Sequence, residues 1–155
     1  MGTHGQQAKQ LFFDGYNCAQ SVFCAFCDVH GMSLDEAARI SSSFGGGMGR
    51  LREVCGALSG IFMVIGALYG GYEVTDRAAK TQHYTMIQEL ASKFRERYGT
   101  LLCRDILGLP EGPSDPEPEA HTPEYLAKRP CPGCVECAAD ILDEFLAARG
   151  NLPTK

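Results

Sequence analysis

The sequence lacks the clustered lysine and arginine residues that nucleic-acid binding requires. It has 14 basic and 19 acidic side chains, and its formal net charge is −5. Because phosphate binding depends on a basic patch or stripe, we expect no nucleic-acid partner. The apolar content of 45% and the charged content of 21% are ordinary for a globular protein, and they argue against a disordered or fibrous chain.

The N-terminal residues lack the pattern of a secretory signal, in which a basic start precedes an apolar run of about 7 to 15 residues. We therefore expect a cytoplasmic protein. Eight cysteines are many for 155 residues, and cytosolic thiols stay reduced. The cysteines are thus expected to bind a metal or to perform redox chemistry, rather than to form a structural disulfide framework.

Motifs for hydrolysis and nucleotide binding are also missing. No Ser-His-Asp order and no H-E-x-x-H motif occurs. A phosphate-binding loop is preceded by a strand and ends in Gly-Lys-Ser or Gly-Lys-Thr, and the glycine-rich residues 45–49 have neither feature. We expect these glycines to form a loop over the thiols and to present N–H groups to sulfur. Gly47, Gly49 and Arg50 are the candidate cofactor-contacting residues, with Arg50 as the nearest charge.

Apolar residues recur at helical spacing along most of the chain, and no convincing alternating strand pattern is present. The sequence predicts one all-α domain over residues 1–155, a bundle of about five or six helices. Ser33 and Glu36 fit a capping box, and six prolines in residues 110–130 predict an acidic surface loop. The predicted helices span residues 6–29, 33–42, 55–69, 75–98 with Thr75 as cap, 101–107, and a last helix that begins near Pro132.

Residues 54–72 carry no charge and are just long enough to cross a bilayer. Five of them are glycine, however, and the flanking residues show no consistent basic bias. We therefore favour a buried central helix and expect no membrane association except through a transporter partner. Gly56 and Gly60 fall on one side of this helix, where small side chains let a neighbouring backbone approach.

Two cysteines are predicted to lie at helix starts. Cys55 falls in the first turn of the central helix, and Cys131 directly precedes Pro132 at the start of the last one. Free N–H groups and the helix dipole favour a thiolate there. Cys18 is expected to point inward from the first helix, and Cys103 is expected to reach the interior from its short helix.

Four segments in order resemble one known family: Asn17-Cys18-Ala19-Gln20-Ser21, Cys55-Gly56-Ala57-Leu58-Ser59-Gly60, Tyr98-Gly99 with Cys103, and Cys131 before Val135. They resemble the redox-active proteins named for the pattern C_GCAxxG_C_C. The resemblance implies a small bacterial or archaeal protein, often encoded beside transporter genes, with redox activity through Cys18, Cys55, Cys103 and Cys131. It also implies similarity to a cytochrome domain proposed to hold an iron–sulfur cluster.

The sequence leaves the chemistry of these thiols open. Four thiolates could bind an iron–sulfur cluster for electron transfer to an unknown redox partner, which is the interpretation we favour. They could instead hold zinc in a non-enzymatic structural module, or act without a cofactor as an oxidoreductase in which Cys55 attacks and a neighbouring cysteine resolves the disulfide. A homodimer remains possible. The additional thiols Cys24, Cys27, Cys134 and Cys137 could extend a metal site or could pack as small core residues.

Overall fold

The computed structural model describes residues 3–150, which fold into helices joined by short segments. Within this range there is no strand, only a single antiparallel bridge between Val54 and Leu102. The predicted all-α class is therefore confirmed. The helices are α1 Thr3–Phe13, α2 Cys18–Ala25, α3 Cys27–His30, α4 Leu34–Ser41, α5 Gly45–Met48, α6 Gly56–Tyr69, α7 Arg77–Tyr98, α8 Cys103–Leu107, α9 Pro123–Lys128 and α10 Cys131–Ala148, with a 3₁₀ turn at Ser42–Phe44.

Helix α6 forms the buried centre of the bundle and packs against α2, α7 and α10. Its residues Leu58, Ile61 and Val64 are fully buried, as are Leu142 on α10 and Leu90 on α7. α6 has only 14 residues, and none of the helices between residues 3 and 150 is long and apolar enough to span a membrane. The apolar run in the sequence is explained by this burial within the protein.

Two glycines allow α6 to approach α2 closely. A Cβ atom on Gly60 would lie 2.7 Å from Val22 Cβ and 3.0 Å from the Ala19 carbonyl oxygen, while one on Gly56 would lie 3.0 Å from Cys18 Cβ. Such separations are shorter than van der Waals contact allows, so a side chain at either position would push the helices apart. The small face predicted for this helix thus has α2 as its partner.

The prediction of one helix over residues 6–29 is wrong. The chain breaks after Phe13, where Gly15 adopts φ 112°, a backbone region that only glycine enters readily. Asn17 then caps α2: its side chain accepts a hydrogen bond from the Gln20 N–H (2.9 Å), and the Gln20 side chain accepts one from the Asn17 N–H (2.9 Å). Cys18 therefore lies at the first position of a helix rather than in the middle of one.

Two other helix boundaries differ from the sequence prediction. Asp76, not Thr75, caps α7, because the Asp76 side chain accepts a hydrogen bond from the Ala79 N–H at 3.0 Å. The predicted loop over residues 110–130 contains α9, which begins at Pro123 behind the capping side chain of Thr122. A proline at the first helical position is compatible with a helix, since its missing N–H would be unpaired there. The capping box of Ser33 and Glu36 is confirmed.

Candidate functional site

The four cysteines singled out from the sequence line one cavity of about 350 Å³. Cys134 of α10 lines the same cavity. All eight cysteines of the chain are free thiols. We call this space the thiol cavity and define it by Cys18, Cys55, Cys103, Cys131 and Cys134. The structure brings the four sequence-predicted sulfurs to one place and adds a fifth.

Each of the four sequence-predicted cysteines stands at the start of a helix. Cys18, Cys103 and Cys131 are the first residues of α2, α8 and α10, and Cys55 is the N-cap of α6. Helix starts present unpaired N–H groups and the positive end of the helix dipole. The cavity is therefore surrounded by positive partial charge, which favours anions, including thiolates.

Backbone pairing places Cys55 opposite Leu101 and Cys103 opposite Glu53. The Cys55 N–H donates to the Leu101 carbonyl (2.8 Å), and the Cys103 N–H donates to the Glu53 carbonyl (2.6 Å). These two bonds flank the bridge between Val54 and Leu102. The paired segments run in opposite directions into α6 and α8, so both helices begin at the cavity wall.

The capping residues on either side of Cys18 tie α2 to α4 and to the 3₁₀ turn that follows it. Asn17 Nδ2 donates to the Ser42 carbonyl (3.0 Å), and Gln20 Nε2 donates to the Ala38 carbonyl (3.0 Å). Asn17 and Gln20 therefore cap their own helix and also hold the end of α4 beside it. The motif around Cys18 is explained by this double role.

The cavity sulfurs influence one another in two pairs, and the first is Cys18 with Cys131. The hydrogen bond from the Cys18 thiol is the largest influence on Cys131 and lowers its pKa below the ordinary value, although burial opposes the effect. The charges of Arg129 and Arg52 lower the pKa of Cys131 further. The same hydrogen bond, followed by burial, raises the pKa of Cys18 well above its ordinary value. Cys131 is thus the more acidic thiol of this pair and Cys18 the less acidic one.

The second pair is Cys55 with Cys134. The hydrogen bond to Cys134, followed by burial, raises the pKa of Cys55 well above its ordinary value. The N–H groups of Ala57 and Leu58 act in the opposite direction but do not close a capping hydrogen bond. Cys134 has a lowered pKa, because it accepts hydrogen bonds from Cys55 and from the Tyr98 hydroxyl. The expectation that Cys55 is the acidic, attacking thiol is therefore wrong: burial and a donated hydrogen keep it protonated.

Arg52 is the charge nearest to a cavity thiol, and this corrects the expectation for Arg50. Arg52 is only 4% exposed, and its Nη1 donates to Cys103 Sγ at 3.4 Å. Burial raises the pKa of the Cys103 thiol, and Arg52 only partly offsets the rise. Arg50 lines the cavity but directs Nε to the Asp115 carbonyl at 2.6 Å.

The glycine-rich segment forms an unusual wall of the cavity. Residues 46–50 all have positive φ, between 61° and 70°, so the chain makes a left-handed turn that closes with a hydrogen bond from the Gly49 N–H to the Gly45 carbonyl (2.9 Å). A Cβ on Gly47 would lie 2.6 Å from Cys103 Cβ. Gly47 and Gly49 therefore line the cavity, and glycine at 47 is required for the wall to reach Cys103.

The proline-rich residues 110–122, which we call the strap, cross the mouth of the cavity. Arg52 Nε donates to Ser114 Oγ (2.8 Å), and the Ser114 N–H donates to the Arg50 carbonyl (2.9 Å). Glu119 forms ion pairs with both Arg50 (3.8 Å) and Arg129. The strap is thus attached to the arginines of the cavity wall.

Several cavity-lining residues were not singled out from the sequence, among them His121, Tyr125 and Arg129. The His121 Nδ1–H donates to the Phe12 carbonyl (2.7 Å), and its ring stacks on Tyr125 at a centroid distance of 5.1 Å. Burial is the main cause that raises the pKa of Tyr125 to about 12. A signal for this group existed in the sequence, because Thr122-Pro123 is a helix start that would have placed Tyr125 on an ordered helix.

The remaining cysteines do not line the cavity. Cys24, on α2, is buried in the hydrophobic core of the protein, and this burial raises its pKa to about 11. Burial also raises the pKa of Cys27. Cys137 lies on α10 and accepts a hydrogen bond from Arg97 Nη1 at 3.2 Å; burial raises its pKa. These three thiols are separate from the cavity, whereas the additional candidate Cys134 belongs to it.

The cavity provides sulfur donors of the kind that iron–sulfur clusters use. In the part of the chain that the structure describes, however, no group of three or more His, Cys, Asp or Glu side chains is gathered to hold one metal ion. The described side chains do not form a ready tetrahedral zinc site. A cluster with several metal atoms binds its thiolates at different metals. Its cysteine ligands therefore surround a cavity and need not gather around a single metal ion.

A sequence model of the family described as "Putative redox-active protein (C_GCAxxG_C_C)" matches residues 16–145. No curated protein and no solved structure matches the chain. The matched range contains the thiol cavity, the left-handed turn and the strap.

Proposed function

Because the chain belongs to the C_GCAxxG_C_C family of redox-active proteins, we propose that it carries out thiol–disulfide exchange through the pair Cys131 and Cys18. The observation that carries this proposal is that Cys131 and Cys18 line one cavity, where their interaction lowers the pKa of Cys131 and raises that of Cys18. An acidic thiol beside a protonated one is the arrangement of an attacking and a resolving cysteine.

The proposed reaction begins when the Cys131 thiolate attacks one sulfur of a disulfide substrate. A bond from Cys131 to that sulfur forms, the substrate S–S bond breaks, and the first thiolate that leaves takes a proton from solvent. Cys18 then gives its proton to solvent and attacks the Cys131 sulfur, which releases the second substrate thiolate, and this is protonated in turn. Two cysteine thiols are oxidised to one disulfide while the substrate disulfide is reduced to two thiols.

The surroundings of Cys131 support its role as the attacking group. It begins α10 and lies near the charges of Arg129 and Arg52, both of which lower its pKa. Cys131 is also only partly buried, whereas Cys55 is 5% exposed. The attacking thiol is therefore more accessible than Cys55 and more acidic than its partner Cys18.

Reaction with hydroxyethyl disulfide, a small neutral disulfide, tests the proposal. The reduced protein should lose two thiols and gain a Cys18–Cys131 bond, which alkylation and mass spectrometry of peptides would identify. Cys18→Ser should stop the reaction at a mixed disulfide on Cys131, and Cys131→Ser should abolish it. Cys137→Ser is the matched control on the same helix and should behave as wild type. A first adduct on any other cysteine would contradict the assignment.

A second candidate is an electron carrier with an iron–sulfur cluster, favoured by the five sulfurs that line one cavity of about 350 Å³. Cys18, Cys55, Cys103 and Cys131 would hold it, with Cys134 as an alternative ligand. Such a cluster supplies one-electron transfer when bound. Anaerobic purification tests this: absorption at about 400 nm with bound iron and sulfide would establish it, and colourless protein without iron would leave the dithiol reaction.

A further inference from the structure

The thiol cavity contains a buried positive charge, that of Arg52, which no carboxylate pairs with. Arg52 is 4% exposed, and its two hydrogen bonds go to the neutral groups Ser114 Oγ and Cys103 Sγ. Among residues 3–150 no carboxylate forms an ion pair with Arg52. A buried guanidinium is costly unless an anion accompanies it. An anion bound beside Arg52 would therefore offset this cost.

Neighbouring carboxylates do not supply this anion. Glu119 already pairs with Arg50 and Arg129. The inner cavity is therefore lined by three arginines and one carboxylate, while Asp115 and Glu117 line only the outer space under the strap.

The size and position of the cavity indicate what can enter. Its volume of about 350 Å³ is at the lower end of pockets that take small molecules, and residues of the strap form part of its lining. A planar guanidinium edge matches the two oxygens of a carboxylate. The thiolate of Cys131 lines the same space, so a bound anion would be held close to the reactive sulfur.

We propose that the substrate is a low-molecular-weight disulfide that bears a carboxylate, and that Arg52 binds this carboxylate in the thiol cavity. The inference rests on the proposed function, because it names the substrate class of the same site. The net charge of −5 would by itself disfavour anions, so a preference for them has to arise from the local charge of the cavity.

Three disulfides of nearly equal size test the proposal: dithiodipropionate, hydroxyethyl disulfide and cystamine, whose end groups are anionic, neutral and cationic. Wild-type protein should lose its Cys131 thiol fastest with dithiodipropionate and slowest with cystamine. Arg52→Gln should lower the ratio of the anionic rate to the cationic rate by about tenfold, the typical effect of one charge-assisted hydrogen bond. Arg97→Gln removes the arginine beside Cys137 outside the cavity and should leave the ratio unchanged.

A redox-inert ligand separates this inference from the proposed function. Octanedioate has the shape and charge of dithiodipropionate without its disulfide, and it should slow alkylation of Cys131 in wild-type protein, whereas diaminooctane should not. Protection by octanedioate without reaction of any disulfide would support the anion site but refute the proposed exchange reaction. Reaction with all three disulfides at similar rates, without protection, would overturn the anion site and retain the exchange reaction.

The wild-type protection experiment also covers the case in which Arg52→Gln does not fold. Arg52 has φ 64° and is attached to the strap, so circular dichroism of each variant has to accompany the rates. Arg52→Lys keeps the charge and is expected to retain part of the preference, since a lysine lacks the bidentate geometry. An unchanged ratio in a folded Arg52→Gln variant would refute the role of Arg52.

Discussion

Replacement of Gly60 by alanine tests the close packing of α6 against α2, on which the cavity depends. The new Cβ would lie 2.7 Å from Val22 Cβ and 3.0 Å from both Val22 Cγ1 and the Ala19 carbonyl oxygen. Val22 is fully buried, and the carbonyl belongs to a helix backbone, so neither contact can yield by a simple side-chain rotation. The two helices would have to separate.

The change in the free energy of unfolding for Gly60→Ala is the sum of two opposing effects. Overpacking of a tight interface costs about 1–3 kcal/mol, and exchange of glycine for alanine inside a helix returns about 0.5–1 kcal/mol. Gly60→Ala should therefore lower the free energy of unfolding by roughly 1 kcal/mol. Gly66 lies on the exposed side of the same helix, and a methyl group added there would meet no atom within 4 Å. Gly66→Ala should instead raise the free energy of unfolding by about 0.5–1 kcal/mol.

Urea denaturation of both variants provides the measurement. The helix-propensity gain is common to the two, so the difference between them, about 1–3 kcal/mol, isolates the packing cost. The slope of the transition should remain that of wild type. Equal stability of Gly60→Ala and Gly66→Ala would refute the close approach of α6 to α2.

Two further predictions concern protonation. Cys18→Ala removes the hydrogen bond that lowers the pKa of Cys131, so the alkylation rate of Cys131 should rise at a higher pH than in wild type. Cys18→Ser keeps a hydrogen-bond donor and should keep the wild-type pH profile. Iodoacetamide labelling followed by mass spectrometry measures both profiles, and identical profiles for the two variants would contradict the pairing. Burial lowers the pKa of His4, but hydrogen bonds to Asp143 (2.7 Å) and Asp28 (2.9 Å) outweigh it and leave the pKa raised. The stabilisation by His4 should therefore be complete below about pH 6.5 and should be lost as the pH rises through its folded pKa; denaturation from about pH 6 to pH 9 should show this decline in wild type and not in His4→Gln.

The sequence predicted the helices well where local chemistry decides them. Ser33 and Glu36 mark a helix start through side-chain and backbone atoms only three residues apart, and Gly99 ends α7 in the left-handed conformation that glycine favours. The break before Cys18 was missed because apolar spacing continues through Gly15. The Asn17 and Gln20 pair, a capping box with amide side chains, was the local signal for that break.

The gathering of Cys18, Cys55, Cys103 and Cys131 could be anticipated from their motif, but their protonation could not. The pKa of Cys55 depends on Cys134. Cys134 lies 79 positions away in the sequence, and helix packing brings the two residues together. The role of Arg52 depends on a backbone conformation that arginine rarely adopts. Long-range contacts and unusual backbone geometry have no signature in a single sequence.

The left-handed turn has a consequence for how the cavity opens. Met48, Arg50 and Arg52 are not glycines, yet each has positive φ, and this costs about 1–2 kcal/mol per residue. The energy is stored in one short segment at the cavity wall, while the surrounding helices carry no such penalty. Backbone strain lowers the free energy that local opening costs, so we expect residues 46–52 to open before the helices of the bundle do.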